Sequence, residues 1–299
     1  MKKVLIIGNT CVDVIINIDH LPKTAEDLQP TSQSFALGGC PFNTANIVRQ
    51  SGVPFLFITP VGTGMYGDYV RAGLTKKGFP IHVTSPLENG CCYCLVESSG
   101  ERTFLSYHGV EYTFQKEWME PFDMTEIDMI YVCGLEIEEE TGENILSFLE
   151  EHLGPEIFFA PGPRLLHIDP EKRRRLFALH PVIHINEQEA FELSGTHELA
   201  NAACLIQEQT NNTVLITLGD KGSCCLIKDA AELIYAAPVS AKVVDTIGAG
   251  DSHIGQILAS RAKGRSWKEA LLDANRVSSH VVSVKGASLT DEQYHSLFL

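Results

Sequence analysis

The sequence lacks any stretch of about 18 uncharged apolar residues, the length that a membrane-spanning helix requires. It is also poor in positive charge, because 23 Lys and Arg stand against 38 Asp and Glu in 299 residues, a formal net charge of −15. The one basic cluster, residues 172–175, is typical of a solvated helix face. Proteins that bind nucleic acid by neutralising phosphates need clustered basic residues. We therefore expect neither a membrane nor a nucleic-acid partner.

The sequence also lacks an even, regular set of cysteines. Its nine cysteines are odd in number and unevenly spread, which does not predict a disulfide framework. Cys91 and Cys94 form a C-x-x-C, but no second pair follows to complete a four-ligand zinc site. His167, His180 and His184 are too scattered to form a metal site. We expect buried thiols in a reducing, cytoplasmic protein.

Apolar residues are abundant, at 44%, so a chain of this length can bury a core without covalent staples. From about residue 42 onward, short β-branched runs alternate with longer amphipathic stretches, which predicts βαβ units around a parallel sheet. The predicted inner strands are residues 53–58, 129–133, 156–160, 182–185 and 213–217. Three predicted helices, 42–51, 68–77 and 251–263, each end at a glycine that suits a left-handed C-cap. Ser266 and Glu269 form a capping box for a last long helix.

Two regions break this pattern, residues 11–36 and 88–108, which read as strands joined by turns with no helix between them. Residues 91–97 and 102–107 predict a hairpin around Gly100, with partner strands at 12–18 and 33–37. Alternation places Cys92 and Cys94 on one face of their strand and Cys91 on the other. Because no repeat or low-complexity linker is present, we expect one domain over residues 1–299 with this small sheet inserted in it.

The most informative segment is Val244-Asp245-Thr246-Ile247-Gly248-Ala249-Gly250-Asp251-Ser252, which joins a short apolar strand to a helix. Gly248, Ala249 and Gly250 let the backbone approach a ligand, and the free N–H groups of the helix N-terminus favour an anion. Asp251 would repel that anion unless it instead takes a proton from an alcohol that attacks phosphorus. In the alternative interpretation, Asp251 only complements the helix dipole. The segment predicts a phosphate site with Asp251 as general base.

A second glycine-rich element, Leu37-Gly38-Gly39-Cys40-Pro41-Phe42-Asn43-Thr44-Ala45-Asn46, also precedes a helix. Gly38 and Gly39 would serve as a hinge or a point of close approach, and Asn43 offers a donor and an acceptor to a polyol. A Gly-Gly pair is commonly only a turn, and Asn43 could equally lie on a helix surface. Neither element is a Walker loop, and no GxGxxG follows residues 4–7.

Together these elements resemble the ribokinase-like, or PfkB, family of sugar kinases. The resemblance runs from Gly8-Asn9 and Asp13 to Lys285-Gly286-Ala287. Further matches in the expected order are Gly62 with Asp68, Asn186-Glu187-Gln188-Glu189-Ala190, and Thr217-Leu218-Gly219-Asp220-Lys221-Gly222. The resemblance implies an α/β, ribokinase-like fold: a doubly wound, mostly parallel sheet flanked by helices, with the small sheet as a lid. The implied reaction is transfer of the γ-phosphoryl group of ATP, with Mg²⁺, to a primary hydroxyl of a ribose- or fructose-like sugar.

The resemblance assigns roles to matching positions. Asp251 matches the catalytic base, and the backbone of Gly248, Ala249 and Gly250 matches the hole that neutralises the transferring phosphoryl group. The matched sugar-holding residues are Asp13, Gly39, Asn43 and, with different neighbours, Glu136. The matched ATP-binding residues are Asn186, Thr217, Gly219 and Asn275. Glu189 matches a residue that organises Mg²⁺ through water, and Asp245 resembles a site for a monovalent cation such as K⁺. A homodimer formed through the lid is also implied, since exposed strand edges need a cover.

The sequence departs from the family pattern at two places that bear on the substrate. Cys40-Pro41-Phe42 replaces small or basic residues, and Phe42 could stack on a base or fill the core, so a nucleoside kinase is the alternative. His253 stands where members more often have an apolar residue, and a supporting position in the core is favoured over a direct role. A sugar sensor without catalysis is a further alternative. The presence of the whole reacting set, including Asp251, Asn186 and Glu189, favours the enzyme.

Overall fold

The apolar runs of the sequence form an eight-stranded sheet at the centre of the protein, whose residues 1–299 are all described by a computed structural model. Its strands in chain order are β1 (Val4–Ile7), β4 (Phe55–Ile58), β9 (Met129–Cys133), β10 (Glu156–Ala160), β11 (Val182–Asn186), β12 (Val214–Thr217), β13 (Ser223–Leu226) and β14 (Ile234–Ala236). Their spatial order is β14-β13-β12-β11-β10-β9-β1-β4, parallel except for β13 and β14. The predicted inner strands are therefore confirmed to within two residues at each end.

Helices cover both faces of this sheet. Their bounds are α1 (Cys40–Gln50), α2 (Gly64–Lys76), α3 (Gly134–Glu138), α4 (Gly142–Glu151), α5 (Pro170–Ala178), α6 (Glu187–Ser194), α7 (Leu199–Thr210), α8 (Ala249–Ala262), α9 (Trp267–Val281) and α10 (Asp291–Ser296). Gly52, Gly78 and Gly264 follow α1, α2 and α8 with φ of 73°, 77° and 79°, as the left-handed caps require. The capping box of Ser266 and Glu269 is present at the start of α9.

The core lies in two layers because successive strand residues point to opposite faces of the sheet. Leu5 and Ile7 belong to a cluster of 32 buried residues that includes apolar side chains of α3 to α7. Val4 and Ile6 belong to a second cluster of 30 that includes side chains of α1, α2, α8 and α9. Two clusters of nearly equal size on opposite faces are the signature of a doubly wound sheet, as expected from the sequence.

A separate four-stranded sheet, called the small sheet below, comes from the two regions without helices. Its strands are β2 (Cys11–Asn17), β3 (Ser32–Gly38), β7 (Cys91–Val96) and β8 (Arg102–Tyr107), in the spatial order β3-β2-β7-β8. β7 and β8 form the predicted antiparallel hairpin, whereas β2 and β7 pair in parallel. β5 (Pro60–Thr63) and β6 (Val83–Glu88) pair beside it as a two-stranded ribbon. β3 and β8 are thus edge strands without a partner.

None of the ten helices combines the length and the apolar character needed to cross a membrane. No group of three or more His, Cys, Asp and Glu side chains is arranged to hold a metal ion. All nine cysteines are free, and the C-x-x-C cysteines Cys91 and Cys94 are buried. The register pairs Cys91 with Val12 and Cys92 with Asp13, so Cys91 and Cys92 face opposite sides of the small sheet, as alternation predicts.

Candidate active site

A cavity of about 570 Å³ lies where the carboxyl ends of the parallel strands meet the small sheet. The strand ends contribute Cys133, Ala160, Asn186 and Thr217, and the cavity lies near the point where the strand order reverses about β1. Open α/β sheets bind their ligands at such a point. A larger cleft of about 770 Å³, between α1, α2 and residues 285–292, contains none of the residues expected to be catalytic.

Nine of the residues expected from the sequence line this cavity: Asp13, Gly39, Asn43, Asn186, Glu189, Thr217, Gly248, Gly250 and Asp251. They come from both sheets and from three helix starts, so folding brings together residues that are up to 238 positions apart. Five others do not line it: Glu136, Gly219, Asp245, Ala249 and Asn275.

The turn at Gly248 starts α8 and has the shape that an anion site needs. Gly248 is the N-cap with φ of 75°, and no side chain caps the helix. A Cβ on Gly248 would stand 2.5 Å from the carbonyl oxygen of Ala287, so only glycine fits. A Cβ on Gly250 would meet nothing within 4 Å, which leaves open space beside the backbone. The N–H groups of Gly250 and Asp251 find no backbone acceptor and remain available to a ligand.

Asp251 lies in the first turn of α8 and is held from α1. The Nδ2 of Asn43 donates to the Oδ2 of Asp251 at 2.9 Å, and Thr44 Oγ1 donates to the Asp251 backbone carbonyl at 3.3 Å. Burial raises the pKa of Asp251 to about 6, against the opposing effect of hydrogen bonds from Asn43 and Cys40. A carboxylate with a pKa near 6 is ionised at neutral pH yet basic enough to accept a proton.

Asp13 faces Asp251 from β2 of the small sheet. Burial raises the pKa of Asp13 to about 6; a bond from Cys11 opposes the shift, and the charge of Asp251 adds to it. The Gly38-Gly39 pair lets the chain pass this acid, because a Cβ on Gly38 would stand 2.1 Å from Asp13 Oδ2. Gly39 has φ of 102°, and its Cβ would stand 2.2 Å from Asn9 Oδ1. Gly39 is therefore required by its backbone angle and by close approach, and a side chain at Gly38 would displace the Asp13 carboxylate.

Asn186 and Glu189 form the N-terminal cap of α6 at the rim of the cavity. Glu189 N donates to Asn186 Oδ1 at 2.8 Å, and Asn186 N donates to Glu189 Oε2 at 2.9 Å. Burial raises the pKa of Glu189. The remaining oxygens of this reciprocal cap are the hard ligands that Mg²⁺ and its waters prefer, so the pair fits the metal role implied by the resemblance.

Glu136 lies behind the cavity in α3 and does not reach its surface. Its Oε1 accepts from Asn9 N at 2.9 Å, and Cys133 Sγ donates to its Oε2 at 2.7 Å. Burial raises the pKa of Glu136 to about 7, with those bonds opposing the shift. In this arrangement Glu136 supports Asn9, against which Gly39 packs, and its contact with a sugar stays a prediction.

Asn275 is buried in a chain of polar side chains that also contains His253. His184 Nε2 lies 3.0 Å from His253 Nδ1, and His253 Nε2 lies 3.2 Å from Asn275 Oδ1. Ser223 Oγ also donates to Asn275 Oδ1 at 2.8 Å, and Asn275 Nδ2 donates to the carbonyl of Ala237 at 3.0 Å. These contacts fit neutral imidazoles in which each Nε2 carries the proton.

Burial also keeps these two imidazoles neutral, since it lowers the pKa of His253 to about 4 and that of His184 well below its usual range. The supporting role predicted for His253 agrees with this geometry, because its side chain is 2% exposed. Only His184 at the other end of the chain lines the cavity. Asn275, on α9, holds the end of β14 through the carbonyls of Ala236 and Ala237, and its proximity to adenine stays a prediction.

Asp245, Ala249 and Gly219 lie close to the cavity but outside its lining. The Ala249 N–H bonds to the Thr246 carbonyl at 3.4 Å within the turn. Gly219 begins the short helix Gly219–Lys221 with φ of 63°. Asp245 accepts from Ile247 N at 2.9 Å and forms an ion pair with Arg102 at 2.9 Å. Asp245 thus supports the backbone that leads into Gly248.

Sequence reasoning missed several residues of the site. Cys40, Cys133, Phe104 and His184 all line the cavity, and Arg102 contacts Asp245 at its edge. Alternation along β8 could have grouped Arg102 with Phe104 on one face, but not shown which face meets the cavity. Phe42, considered for base stacking, is 1% exposed and packs against Phe79, so it fills the core.

Comparison with known proteins agrees with this geometry. The pfkB family carbohydrate kinase model matches residues 1–293. The uncharacterized sugar kinase YegV of Escherichia coli (strain K12) is 32% identical over 95% of this chain and 90% of its own. The ribokinase structure of Thermotoga maritima, 21% identical, superimposes with a TM-score of 0.84 over 100% of this chain and 99% of its own. The Methanocaldococcus jannaschii nucleoside kinase, also 21% identical, has a TM-score of 0.82 over 100% and 98%. The chain belongs to the pfkB family of carbohydrate kinases and is a phosphotransferase.

Proposed function

We propose that this protein transfers the γ-phosphoryl group of ATP to a primary hydroxyl of a ribose- or fructose-like sugar. The observation that carries the proposal is the position of Asp251, whose carboxylate lies in the cavity in the same helical turn as the free N–H groups beside Gly250. Transfer of a phosphoryl group to an alcohol requires a base and an anion site close together, and one helical turn supplies both.

In the proposed step, the substrate oxygen forms a bond to the γ-phosphorus while the bond from that phosphorus to the ADP oxygen breaks. The hydroxyl proton passes to Asp251, which Asn43 orients through its 2.9 Å hydrogen bond. The backbone N–H groups at the start of α8 neutralise charge on the phosphoryl oxygens, aided by the helix dipole. Little covalent chemistry falls to the protein, so its main contributions are positioning and electrostatic stabilisation.

ATP would lie along the carboxyl ends of the large sheet, with Asn186, Thr217, Gly219 and Asn275 as its predicted contacts. Mg²⁺, held through water by Asn186 and Glu189, would neutralise the phosphate charges when bound. The exposed position of Asn186 at the end of β11 and the partly buried carboxylate of Glu189 support this assignment.

The substrate hydroxyls would be held by Asp13, Asn43 and the backbone of Gly39. Asp13 lines the cavity from β2 and Asn43 lines it from α1, and a carboxylate and an amide suit a polyol better than an apolar ligand. A nucleoside substrate is the second candidate, because the cavity also contains Phe104, 56% exposed, and the stacked rings of His108 and Tyr112 at 3.9 Å. Those flat faces could receive a base.

We further propose that residues 1–299 act as one kinase domain in which the small sheet closes as a lid and excludes water. Two lids would pair into a homodimer, since β3 and β8 are free edges and Phe35, Leu105 and Tyr107 on the small sheet are 44%, 65% and 62% exposed. Nine free thiols support a reducing, cytoplasmic setting.

The proposal is tested with a panel of pentoses, hexoses, keto-acid sugars and nucleosides. Thermal shift with a non-hydrolysable ATP analogue measures binding, and a coupled assay measures ADP release with each ligand. We expect one ribose- or fructose-like sugar to raise the melting temperature and to give substrate-dependent ADP release. Turnover with nucleosides alone would transfer the function to the second candidate. Binding of a sugar without any ADP release would identify a sensor and overturn the proposal.

A further inference from the structure

The carboxylate of Asp245 is surrounded by N–H groups. Its Oδ1 accepts from Ile247 N at 2.9 Å and lies 2.9 Å from Arg102 Nη1, while its Oδ2 accepts from Gly286 N at 3.1 Å. Burial alone would raise the pKa of Asp245, but the bonds from Ile247, Arg102 and Gly286 lower it overall. N–H groups present positive hydrogens, which repel a metal ion. In this arrangement the residues around Asp245 do not fit the monovalent cation that the resemblance implies.

Arg102 comes from a different sheet and reaches Asp245 because of its position on β8. Side chains two apart share a face of a strand, and Phe104 and Ser106, two and four positions later, line the cavity. Arg102 therefore stands on the cavity face of the small sheet. Its side chain is 24% exposed, and its Nη1 lies 2.9 Å from Asp245 Oδ1, so the guanidinium is directed at Asp245.

Asp245 in turn is hydrogen-bonded to both segments that shape the Gly248 turn. Ile247, whose N–H it accepts, immediately precedes Gly248, the N-cap of α8. Gly286, on its other oxygen, precedes Ala287, whose carbonyl oxygen would stand 2.5 Å from a Cβ on Gly248. A charge that holds the Asp245 carboxylate in place consequently holds the backbone at Ile247 and at Gly286, the two segments that contact Gly248.

We propose that Arg102 is a positioning residue: its guanidinium supplies, from the small sheet, the positive charge that orders the Gly248 turn in place of a monovalent metal ion. Because Arg102 moves with the small sheet, the Gly248 turn is fully ordered only when that sheet is closed over the cavity. The catalytic part of this inference rests on the proposed kinase function. The chain then needs no K⁺. Closure of the small sheet over the substrate directly orders the site that binds the phosphoryl group.

Arg102→Met keeps an unbranched apolar stem and removes the charge, and Arg102→Lys keeps a charge. The matched control is Thr103→Ala, the next residue on the opposite, exposed face of β8. We expect Arg102→Met to lower kcat by about 5- to 150-fold, the usual range of coupling between two sites, with the KM for ATP and sugar within about threefold of wild type. Arg102→Lys should retain part of kcat, and Thr103→Ala should retain all of it.

Chemical rescue separates positioning from general damage. Millimolar guanidinium should raise kcat of Arg102→Met, because it can take the place of the missing side-chain guanidinium beside the Asp245 carboxylate, and should leave wild type unchanged. It should not rescue Arg102→Met combined with Asp245→Asn, and that double variant should be no slower than the worse single variant. Activation of the wild-type enzyme by K⁺ over Na⁺ would overturn the proposal. So would additive losses with a raised KM for ATP, which would place Arg102 on the nucleotide.

Hydrogen exchange tests the inference without turnover, so it can fail separately from the kinase function. The amides of Ile247 and Gly286 donate to Asp245, and they should exchange faster in Arg102→Met than in wild type or Thr103→Ala. Unchanged exchange at both amides would show that Arg102 does not order the turn, whatever the substrate panel gives. No turnover with any panel substrate, together with faster exchange, would remove the kinase proposal and leave the ion pair's ordering role in place.

Discussion

Replacing Asp251 with Asn tests the assignment of the general base with little change of shape. The amide oxygen of Asn can still accept the hydrogen bond from Asn43, now at 2.9 Å, but the side chain cannot take a proton. We expect kcat to fall by at least about 10²- to 10⁴-fold, the usual effect of losing a positioned base. The KM values should change little, because the proton moves only as the transition state forms.

The same substitution should stabilise the ligand-free protein at alkaline pH. The pKa of Asp251 is raised from 3.8 to about 6 in the folded chain, chiefly by burial. Each unit corresponds to about 1.4 kcal/mol, so ionising this group costs about 3 kcal/mol of folding free energy, or about 2 kcal/mol once partial exposure to the cavity is allowed for. As pH rises from about 4 to 6, the unfolded chain loses this proton first and wild type loses stability. Asp251→Asn avoids that loss.

The assay is kcat from ADP release together with calorimetric melting at pH 8 and pH 4. We expect Asp251→Asn to melt a few degrees above wild type at pH 8 and close to it at pH 4. If Asp251 only complemented the dipole of α8, the variant would melt early and turn over normally, and that result would refute the assignment. Glu292→Gln, an exposed acid in the first turn of α10, is the control for losing a helix-dipole acid alone, and it should leave kcat unchanged and lower the melting temperature only slightly.

Three further predictions concern the site and the assembly. Because the pKa values of Asp13 and Asp251 are both raised to about 6, kcat/KM should decline on the acid side with an apparent pKa near 6, and a profile flat down to pH 5 would contradict a buried base. Gly250→Ala meets no atom within 4 Å, so melting should be unchanged while kcat falls about tenfold or more; intact kcat would argue against phosphoryl binding at this turn. Light scattering at micromolar concentration should give twice the chain mass of 32.9 kDa, and a monomer would remove the lid dimer while leaving the lid.

Much of the fold follows from local patterns that act through short-range physics. The mostly apolar runs of β9 and β10 matched their predicted bounds, since the buried part of a strand covered on both faces is apolar. Helix ends were equally readable, because Gly52, Gly78 and Gly264 adopt backbone angles that other residues adopt only with strain. Helix starts were placed two to four residues late at α1, α2 and α8, where no polar side chain caps the first turn.

The chemistry of the site divides in the same way. The small residues around Gly248 and the acid at position 251 are contiguous, so the sequence alone was enough to propose a joint role for them. The strand pattern also predicted the hairpin that carries Arg102. Features whose residues are contiguous in the chain can therefore be predicted from the sequence.

Tertiary structure alone decided which polar groups face the cavity and which are buried behind it. Glu136 and Asn275 matched ligand-binding positions, yet the packing of α3 and α9 directs them to Asn9 and to His253. Arg102 and Asp245 are 143 positions apart and meet only because the small sheet folds over the large one. The raised pKa of Asp251 likewise depends on burial by the surrounding elements, since solvation is a property of the assembled structure that no single segment contains.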